Sequence, residues 1–459
     1  MYTINFNDES PLYVQIGEDI KKRILNGKIS KGDKLPSKRA FAQHLGVSVN
    51  TVSNAYDSLL AEGYLESSER RGYFVMSAKE LVRIPIIDVF DEEKIAKYDF
   101  TYSGVDSSKF PYSIFRSIAR SIFTNEKSSL LHLNEREGSR SLRMAIKEYL
   151  LSARGFDVPV KNIIVSAGTE YLFKILFNIL DDDFTFAIED PGYEKLDTFF
   201  KQNKRLYKTV EVSDKGMDFD NFLESKADVV VLTPSHQFPT GVIMPSSVRN
   251  QFLNWANKGN RYIIEDDYDS EFKYRGRVLL PIKAMDEKDR VIYMGNFSKS
   301  IAPSFRTSYM CLPDSLLEKF EELSFTTCPV SPFIQEMIAE FISKGNFEKH
   351  LNRMRTLYKK KREILLKAIS KEFKDYEISQ NDSGLHIILK ISKIQKEEEE
   401  ILKALEREEI KIDSISRFYT DNKPLINNSS VSFLLGFGRI EIEDIDEGIK
   451  ALKMAVIGD

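Results

Sequence analysis

The chain has 459 residues, 42% hydrophobic, 11% aromatic and 30% charged, enough apolar material for more than one folded core. Its apolar runs fall short of the roughly 18 residues that span a bilayer, and the start, MYTINFNDES, lacks the features of a secretion signal, so a cytoplasmic protein with no membrane partner is expected. Two cysteines and five histidines argue against a disulfide framework and against any metal centre, and a net charge of −4 argues against a general polyanion binder.

Residues 1–77 read as three short helices and a β-hairpin. The first helix runs through PLYVQIGEDIKKRILNG, with Ile16, Ile20 and Ile24 at i, i+4 spacing and Gly27 as its stop. Ser37 caps KRAFAQHL, which Gly46 ends, and Ser48 caps VNTVSNAYDSLLAEG, which buries Val52, Ala55, Tyr56 and Leu59. GYLESSERRGYFV then alternates around Arg70-Arg71-Gly72, as a hairpin does. Two helices joined by a tight turn, with a hairpin behind them, make a winged helix-turn-helix. Charge adds little, since residues 1–76 hold ten Lys/Arg against nine Asp/Glu. Residues 78–97 have no clear period and contain no glycine, so they read as a linker of no great flexibility.

Residues 98–459 form the second domain, in which strands alternate with helices from about residue 136 onwards. The expected strands are IIVS (163–166), FTFAIE (184–189), RLYKTVEV, DVVVL, RYIIE and RVIYMG (290–295), with helices such as TEYLFKILFNIL and GYEKLDTFFKQ between them. Such alternation gives an α/β fold with a mostly parallel sheet. The polar, Gly-rich stretches SAGT, EDPGY, TPSHQFPTG, EDDYDSEF and GNFSKS all follow strand ends, where open α/β sheets bind ligands.

Those loops describe one ligand. Ala167-Gly168-Thr169 opens a helix whose free backbone N–H groups suit a phosphate. Lys299 can form a Schiff base, Arg306 can grip a phosphate with its fork, and Tyr193 offers a ring face. A carboxylate and phenol in EDDY can hold a pyridine nitrogen and a ring hydroxyl. Together they fit pyridoxal 5′-phosphate.

Two resemblances agree with this reading. PLYVQI, LPSKR, HLGVSVNTV, AYDSLLAEGYL and RRGYFV resemble the GntR-type DNA-binding domain, which implies a third helix in the major groove and a wing on the minor groove or backbone of a DNA operator. That places Arg39, Ser48, Asn50, Thr51, Arg70, Arg71 and Gly72 on the DNA; Val49 stands where many members carry Arg. EDPGY, TPSHQFPTG, EDDYDSEF and FSKSIAPSFR resemble the fold-type I aminotransferase domain in the form fused to such a head, the MocR subfamily of regulators. The resemblance implies that Lys299 carries pyridoxal phosphate as an internal aldimine. It further implies that Asp266 pairs with the pyridine nitrogen, with Asp267 as second choice, that Tyr268 bonds the ring oxygen and that Tyr193 stacks on the ring. Gly168, Thr169, Ser298 and Arg306 would hold the phosphate, and His236 or Gln237 lies where aminotransferases place Asn. A homodimer is implied as well.

The sequence departs from the aminotransferase pattern at Leu434, in VSFLLGFG, where those enzymes carry an Arg that clamps the substrate carboxylate. Lys195 and Arg417 are candidate substitutes in effector binding; His386 receives no role. The implied function is a pyridoxal-phosphate-dependent transcription regulator. Its small-molecule effector is an amine or amino acid, or the cofactor itself in vitamin B6 control. The alternatives are a working aminotransferase with a DNA-binding head, against which the missing Arg argues, and a DNA-binding protein with an inert scaffold.

Overall fold

Ile16, Ile20 and Ile24 share one face of α1 (Leu12–Leu25) and pack on Phe41 of α2 (Lys38–Leu45) and on Val52, Ala55, Tyr56 and Leu59 of α3 (Val49–Ala61). Ser37 Oγ accepts from the Ala40 amide at 3.2 Å and Ser48 Oγ from the Thr51 amide at 3.1 Å. Each cap is worth about 1 kcal/mol. α3 stops at Ala61, short of the expected Gly63, because the chain turns there with Gly63 at φ +78°. β1 (Leu65–Ser68) and β2 (Gly72–Val75) form the antiparallel hairpin, with Leu65 opposite Val75.

The computed structural model describes residues 4–458 except 5, 8, 9, 69, 70, 77–95, 134, 275–278, 324–326, 380–382, 422, 423 and 428. Arg70 and nearly all of the 78–97 linker therefore lie outside the described residues. The chain divides into two compact units, Met1–Lys94 and Ile95–Asp459. Among the described residues no helix is long and apolar enough to cross a membrane.

The larger unit is built on an eight-stranded sheet. Its strands in chain order are β3 (Ile163–Ser166), β4 (Phe186–Asp190), β5 (Tyr207–Ser213), β6 (Gly216–Met217), β7 (Val229–Leu232), β8 (Tyr262–Asp267), β9 (Val291–Asn296) and β10 (Ser308–Cys311). They lie in the order β3-β10-β9-β8-β7-β4-β5-β6, with β6 and β10 antiparallel to the rest. β3, β7 and β10 are buried throughout, and for β3 and β7 this is why they read as apolar runs without alternation. β10 was not expected as a strand: Ser-Tyr-Met-Cys offers neither a long run nor a clear period.

Helices α4 (Thr169–Ile179), α5 (Glu194–Gln202) and α6 (Ser246–Ala256) cover the sheet. Leu172, Phe173 and Leu176 of α4 and Phe200 of α5 bury one apolar layer, while Phe252 and Trp255 of α6 bury another against Val230 and Ile263. Each such side chain contributes about 1.5–3 kcal/mol by leaving water. The long helix α7 (Asn346–Glu372) follows. A smaller antiparallel sheet then contains β11 (His386–Ser392) and β12 (Ser430–Gly436), with Ile388 opposite Leu434.

Candidate cofactor site and DNA-binding head

The parallel strands place the expected loops at one edge of the sheet, because parallel strands all end on the same side. Gly168 and Thr169 follow β3, Tyr193 follows β4, His236 follows β7, Asp266–Tyr268 end β8 and pass beyond it, and Ser298 and Lys299 follow β9. Arg306 lies between β9 and β10 in a left-handed conformation, φ +45°.

The phosphate-side groups come together. Gly168 sits at φ +100° and ψ 166°, and α4 begins after it with no side-chain cap. A Cβ at this position would stand 2.5 Å from Arg306 Nη2, so the guanidinium rests directly on the glycine. Ser298 turns back through its amide to Asn296 Oδ1 at 3.0 Å.

The ring-side groups border a cavity of about 650 Å³ whose lining includes Tyr193, Asp266, Phe238 and Glu189. Alternation along β8 separates the two carboxylates that the sequence left as rivals. Asp266 faces the cavity and makes no hydrogen bond or ion pair among the described residues. Burial, reinforced by Asp267 and Asp269, pushes its pKa up to about 7. Asp267 is turned away and engaged: Tyr293 Oη donates to it at 2.5 Å and Arg154 Nη2 lies 3.1 Å away, all buried. Arg306 and Asp266 both exert their charge on the Tyr193 phenol, which burial raises to about 12.

Lys299 Nζ donates to the Tyr102 carbonyl and lies 5.1 Å from the centre of the Tyr102 ring. Burial lowers the amine to about 8, against the opposing charge of Asp269. Tyr268 Oη lies 3.2 Å from His236 Nδ1, which is itself 2.8 Å from Asp269 Oδ2. His236 thus stands behind the Tyr268 hydroxyl. His236, Asp269 and His386 bring ligand-type atoms within 4.8 Å of one another, a cluster in which His386 Nε2 binds the Pro239 carbonyl at 3.1 Å. Gln237 is spent locally: its amide nitrogen donates to the Pro191 and Phe238 carbonyls and its oxygen accepts from Thr240.

The two effector candidates differ in setting. Lys195 is exposed and 3.5 Å from Glu170. Arg417 grips Glu194 with two nitrogens at 2.5 and 3.0 Å and Asp413 with a third at 2.6 Å. Leu434 is fully buried with Phe238, Ile415 and Phe418, against Tyr102 and Tyr268.

In the head, Arg39, Ser48, Asn50 and Arg71 are exposed, and Ser48 Oγ and Thr51 Oγ1 are 2.8 Å apart at the start of α3. Gly72 takes φ +107° at the hairpin tip, with Lys34 Cε 3.2 Å from where a Cβ would be. Arg71 lies 5.6 Å from the centre of the Phe74 ring. Lys34, Lys38, Ser68 and Arg71 line one groove beside the wing.

Residues 12–75 match the family described as bacterial regulatory proteins, gntR family. The HTH-type transcriptional regulator YdeL of Bacillus subtilis (strain 168) is 38% identical over 98% of this chain and 98% of its own. The probable rhizopine catabolism regulatory protein MocR of Rhizobium meliloti is 28% identical over 100% of this chain and 96% of its own. The chain belongs to the MocR subfamily of GntR-type transcription regulators. Its larger unit has the fold-type I aminotransferase architecture: an archaeal alanine:glyoxylate aminotransferase superposes with a TM-score of 0.69 at 26% identity, covering 78% of this chain and 89% of the enzyme.

Several groups at the MocR-type site escaped the sequence reading. Tyr102 comes from a stretch far from the strand-end loops, and its only signal is its place in FTYSGVDSSKFP. Phe238 directly precedes Pro-Thr-Gly, so the apolar side chain, not His236 or Gln237, occupies the position before that turn. In the head, Lys34 belongs to the basic turn KGDK ahead of LPS.

Proposed function

We propose that this regulator binds pyridoxal 5′-phosphate on Lys299 and that an effector at the same site changes how tightly its N-terminal head binds a DNA operator. The observation that carries the proposal is a half-buried lysine with an amine lowered to about 8, just past β9 at the same sheet edge where Asp266 ends β8 and faces the cavity without a partner among the described residues.

The residues present fit the cofactor. The Gly168 cradle admits Arg306 only because no Cβ stands there, and the uncapped start of α4 leaves amide donors for a phosphate. When bound, pyridoxal 5′-phosphate supplies an aldehyde carbon and an electron-withdrawing ring. Lys299 offers the amine such an aldehyde requires, and the shift to about 8 raises its neutral fraction near physiological pH well above that of an ordinary lysine. Asp266, once ionised, holds a proton on a ring nitrogen. Tyr193 gives an aromatic face, Tyr268 a hydroxyl backed by His236, and Thr169 and Ser298 further polar contacts for the phosphate.

In the head, Ser48, Asn50 and Thr51 at the start of α3 would read base edges, and Arg39, Arg71 and Gly72 would contact the backbone or minor groove, as Arg70 would by its sequence position. The effector is an amine, an amino acid or the cofactor itself. An aminotransferase with a DNA-binding head is less well supported: Leu434 is sealed in an apolar cluster, and Arg417 is already held by two carboxylates. A homodimer acting in the cytoplasm belongs to the same proposal. Phe123, Leu131 and Leu133, 65, 75 and 91% exposed, offer apolar surface for a second copy. A two-fold protein then reads a repeated operator.

Operator affinity of the full chain, measured with and without pyridoxal 5′-phosphate and again after Lys299→Ala, tests the proposal. The cofactor is expected to change affinity for the wild type and not for the variant. Equal responses in both would refute it. Removing residues 1–77 should abolish operator binding while the remaining protein still takes up cofactor. Sedimentation as a monomer at micromolar concentration would remove the dimer.

A further inference from the structure

The Tyr268 hydroxyl has one hydrogen-bond neighbour among the described residues, His236 Nδ1 at 3.2 Å. The same nitrogen lies 2.8 Å from Asp269 Oδ2. A carboxylate oxygen offers lone pairs only, so the hydrogen of this pair sits on Nδ1 and is donated to Asp269. Nδ1 then keeps no lone pair for the Tyr268 hydrogen. His236 Nε2 is buried without a hydrogen-bond partner among the described residues, so no second bond competes in choosing the protonated nitrogen.

The contact is also enclosed. His236 and Asp269 are each 2% exposed. Gly384, just ahead of β11, holds φ +76°, and a Cβ there would run into His236 Cε1 and stand 2.8 Å from Asp269 Oδ2. The Gly384 amide donates to the Phe272 carbonyl at 2.8 Å and its carbonyl accepts from the Tyr274 hydroxyl at 2.8 Å. A fixed stretch of backbone therefore covers the histidine–aspartate contact, away from water, where a hydrogen bond is electrostatically strongest. On the other side, Tyr268 packs against Phe238, which borders the cavity together with Tyr193. Burial, with the charges of Asp269 and Asp266, keeps the Tyr268 phenol protonated well beyond the ordinary tyrosine range. Its hydrogen is present and unspent.

We infer that Asp269 is a positioning residue: by holding the His236 hydrogen on Nδ1, it keeps the Tyr268 hydroxyl available as a donor to the ring oxygen of the cofactor. The inference rests on the proposed cofactor site and adds the residue that decides what Tyr268 can do there. Without the carboxylate, the imidazole hydrogen moves to Nε2 and Nδ1 becomes an acceptor 3.2 Å from the phenol. Tyr268 then spends its hydrogen on His236.

The test is a ratio of two affinities of the cofactor-free full chain, for pyridoxal 5′-phosphate and for 3-deoxypyridoxal 5′-phosphate, which carries hydrogen in place of the ring hydroxyl. The ratio in Tyr268→Phe sets the background, and wild type is expected to exceed it about tenfold. Asp269→Leu, which keeps the branched shape without the charge, should fall to the background. Adding His236→Leu should restore the wild-type ratio, since no ring nitrogen is left to take the phenol hydrogen. General damage to the site would lower both affinities and leave the ratio alone. An Asp269→Leu chain with the wild-type ratio, a double variant that stays at the background, or a wild type no better than Tyr268→Phe overturns the inference; the cofactor proposal stands in each case if borohydride still fixes the cofactor on Lys299. A wild-type chain that binds neither probe overturns the cofactor proposal and this inference with it.

Discussion

Gly168→Ala tests the phosphate cradle at a single methyl group. The backbone at 168 has φ +100° and ψ 166°, a region open essentially to glycine, so alanine costs about 1–3 kcal/mol of local strain. The new Cβ would meet Arg306 Nη2 at 2.5 Å and Cζ at 3.2 Å, and the long guanidinium arm is what yields. Displacing it removes a charge-assisted hydrogen bond to a phosphate, worth about 1.5–3 kcal/mol, which is about a 10- to 100-fold loss of affinity. The loss should be confined to the phosphate. The assay is therefore a paired titration of the cofactor-free protein with pyridoxal 5′-phosphate and with pyridoxal, following absorbance. Wild type should favour the phosphorylated form strongly and Gly168→Ala should narrow that preference by the stated factor. Unchanged affinity for both probes, or an equal loss for both, would refute the cradle.

The remaining predictions address the lysine, the carboxylates and the head. Because burial lowers the Lys299 amine to about 8, the rate of cofactor uptake should rise about tenfold per pH unit from pH 6 and level off above about 8; a flat profile over that range contradicts the assignment. Asp267→Asn removes the nearer of Arg154's two buried carboxylate partners, leaving only Glu271 at 3.9 Å, and should cost about 3 kcal/mol in urea unfolding. Asp266→Asn should weaken cofactor binding with little effect on stability, and the opposite pattern would exchange the two roles. In DNA titrations, Arg71→Ala and Lys34→Ala should each lower the slope of log affinity against log salt by about 1, whereas Asn50→Ala should relax base preference by about 1–3 kcal/mol. An Asn50→Ala protein weakened equally on specific and random DNA would argue against base reading.

Much of this was legible in the residues. The caps at Ser37 and Ser48, the isoleucine stripe of α1 and the hairpin around Gly72 are local signals, decided by neighbours in sequence. The strand-end loops were equally plain, since each carries its own polar cluster just past an apolar run. What the sequence left open depends on three-dimensional placement. Asp266 and Asp267 are adjacent and chemically identical; only the direction of β8 turns one to the cavity and the other to Arg154. Arg417 reads as a free base in DSISRFY, yet Glu194, 223 residues away along the chain, occupies it. Tyr102 reaches Lys299 from 197 residues away, a contact no spacing rule reveals. β10 lies antiparallel among parallel strands, and a four-residue buried run carries no sign of direction.

The claim on which the account turns is that Lys299 is the residue that carries the cofactor. Borohydride reduction of the full chain incubated with pyridoxal 5′-phosphate, followed by proteolysis and mass mapping, tests it most directly. The account predicts one stably modified peptide containing Lys299, and none in Lys299→Ala, which should still fold because the change deletes no large apolar group. Modification of a different lysine, or equal labelling of the Lys299→Ala protein, would contradict it.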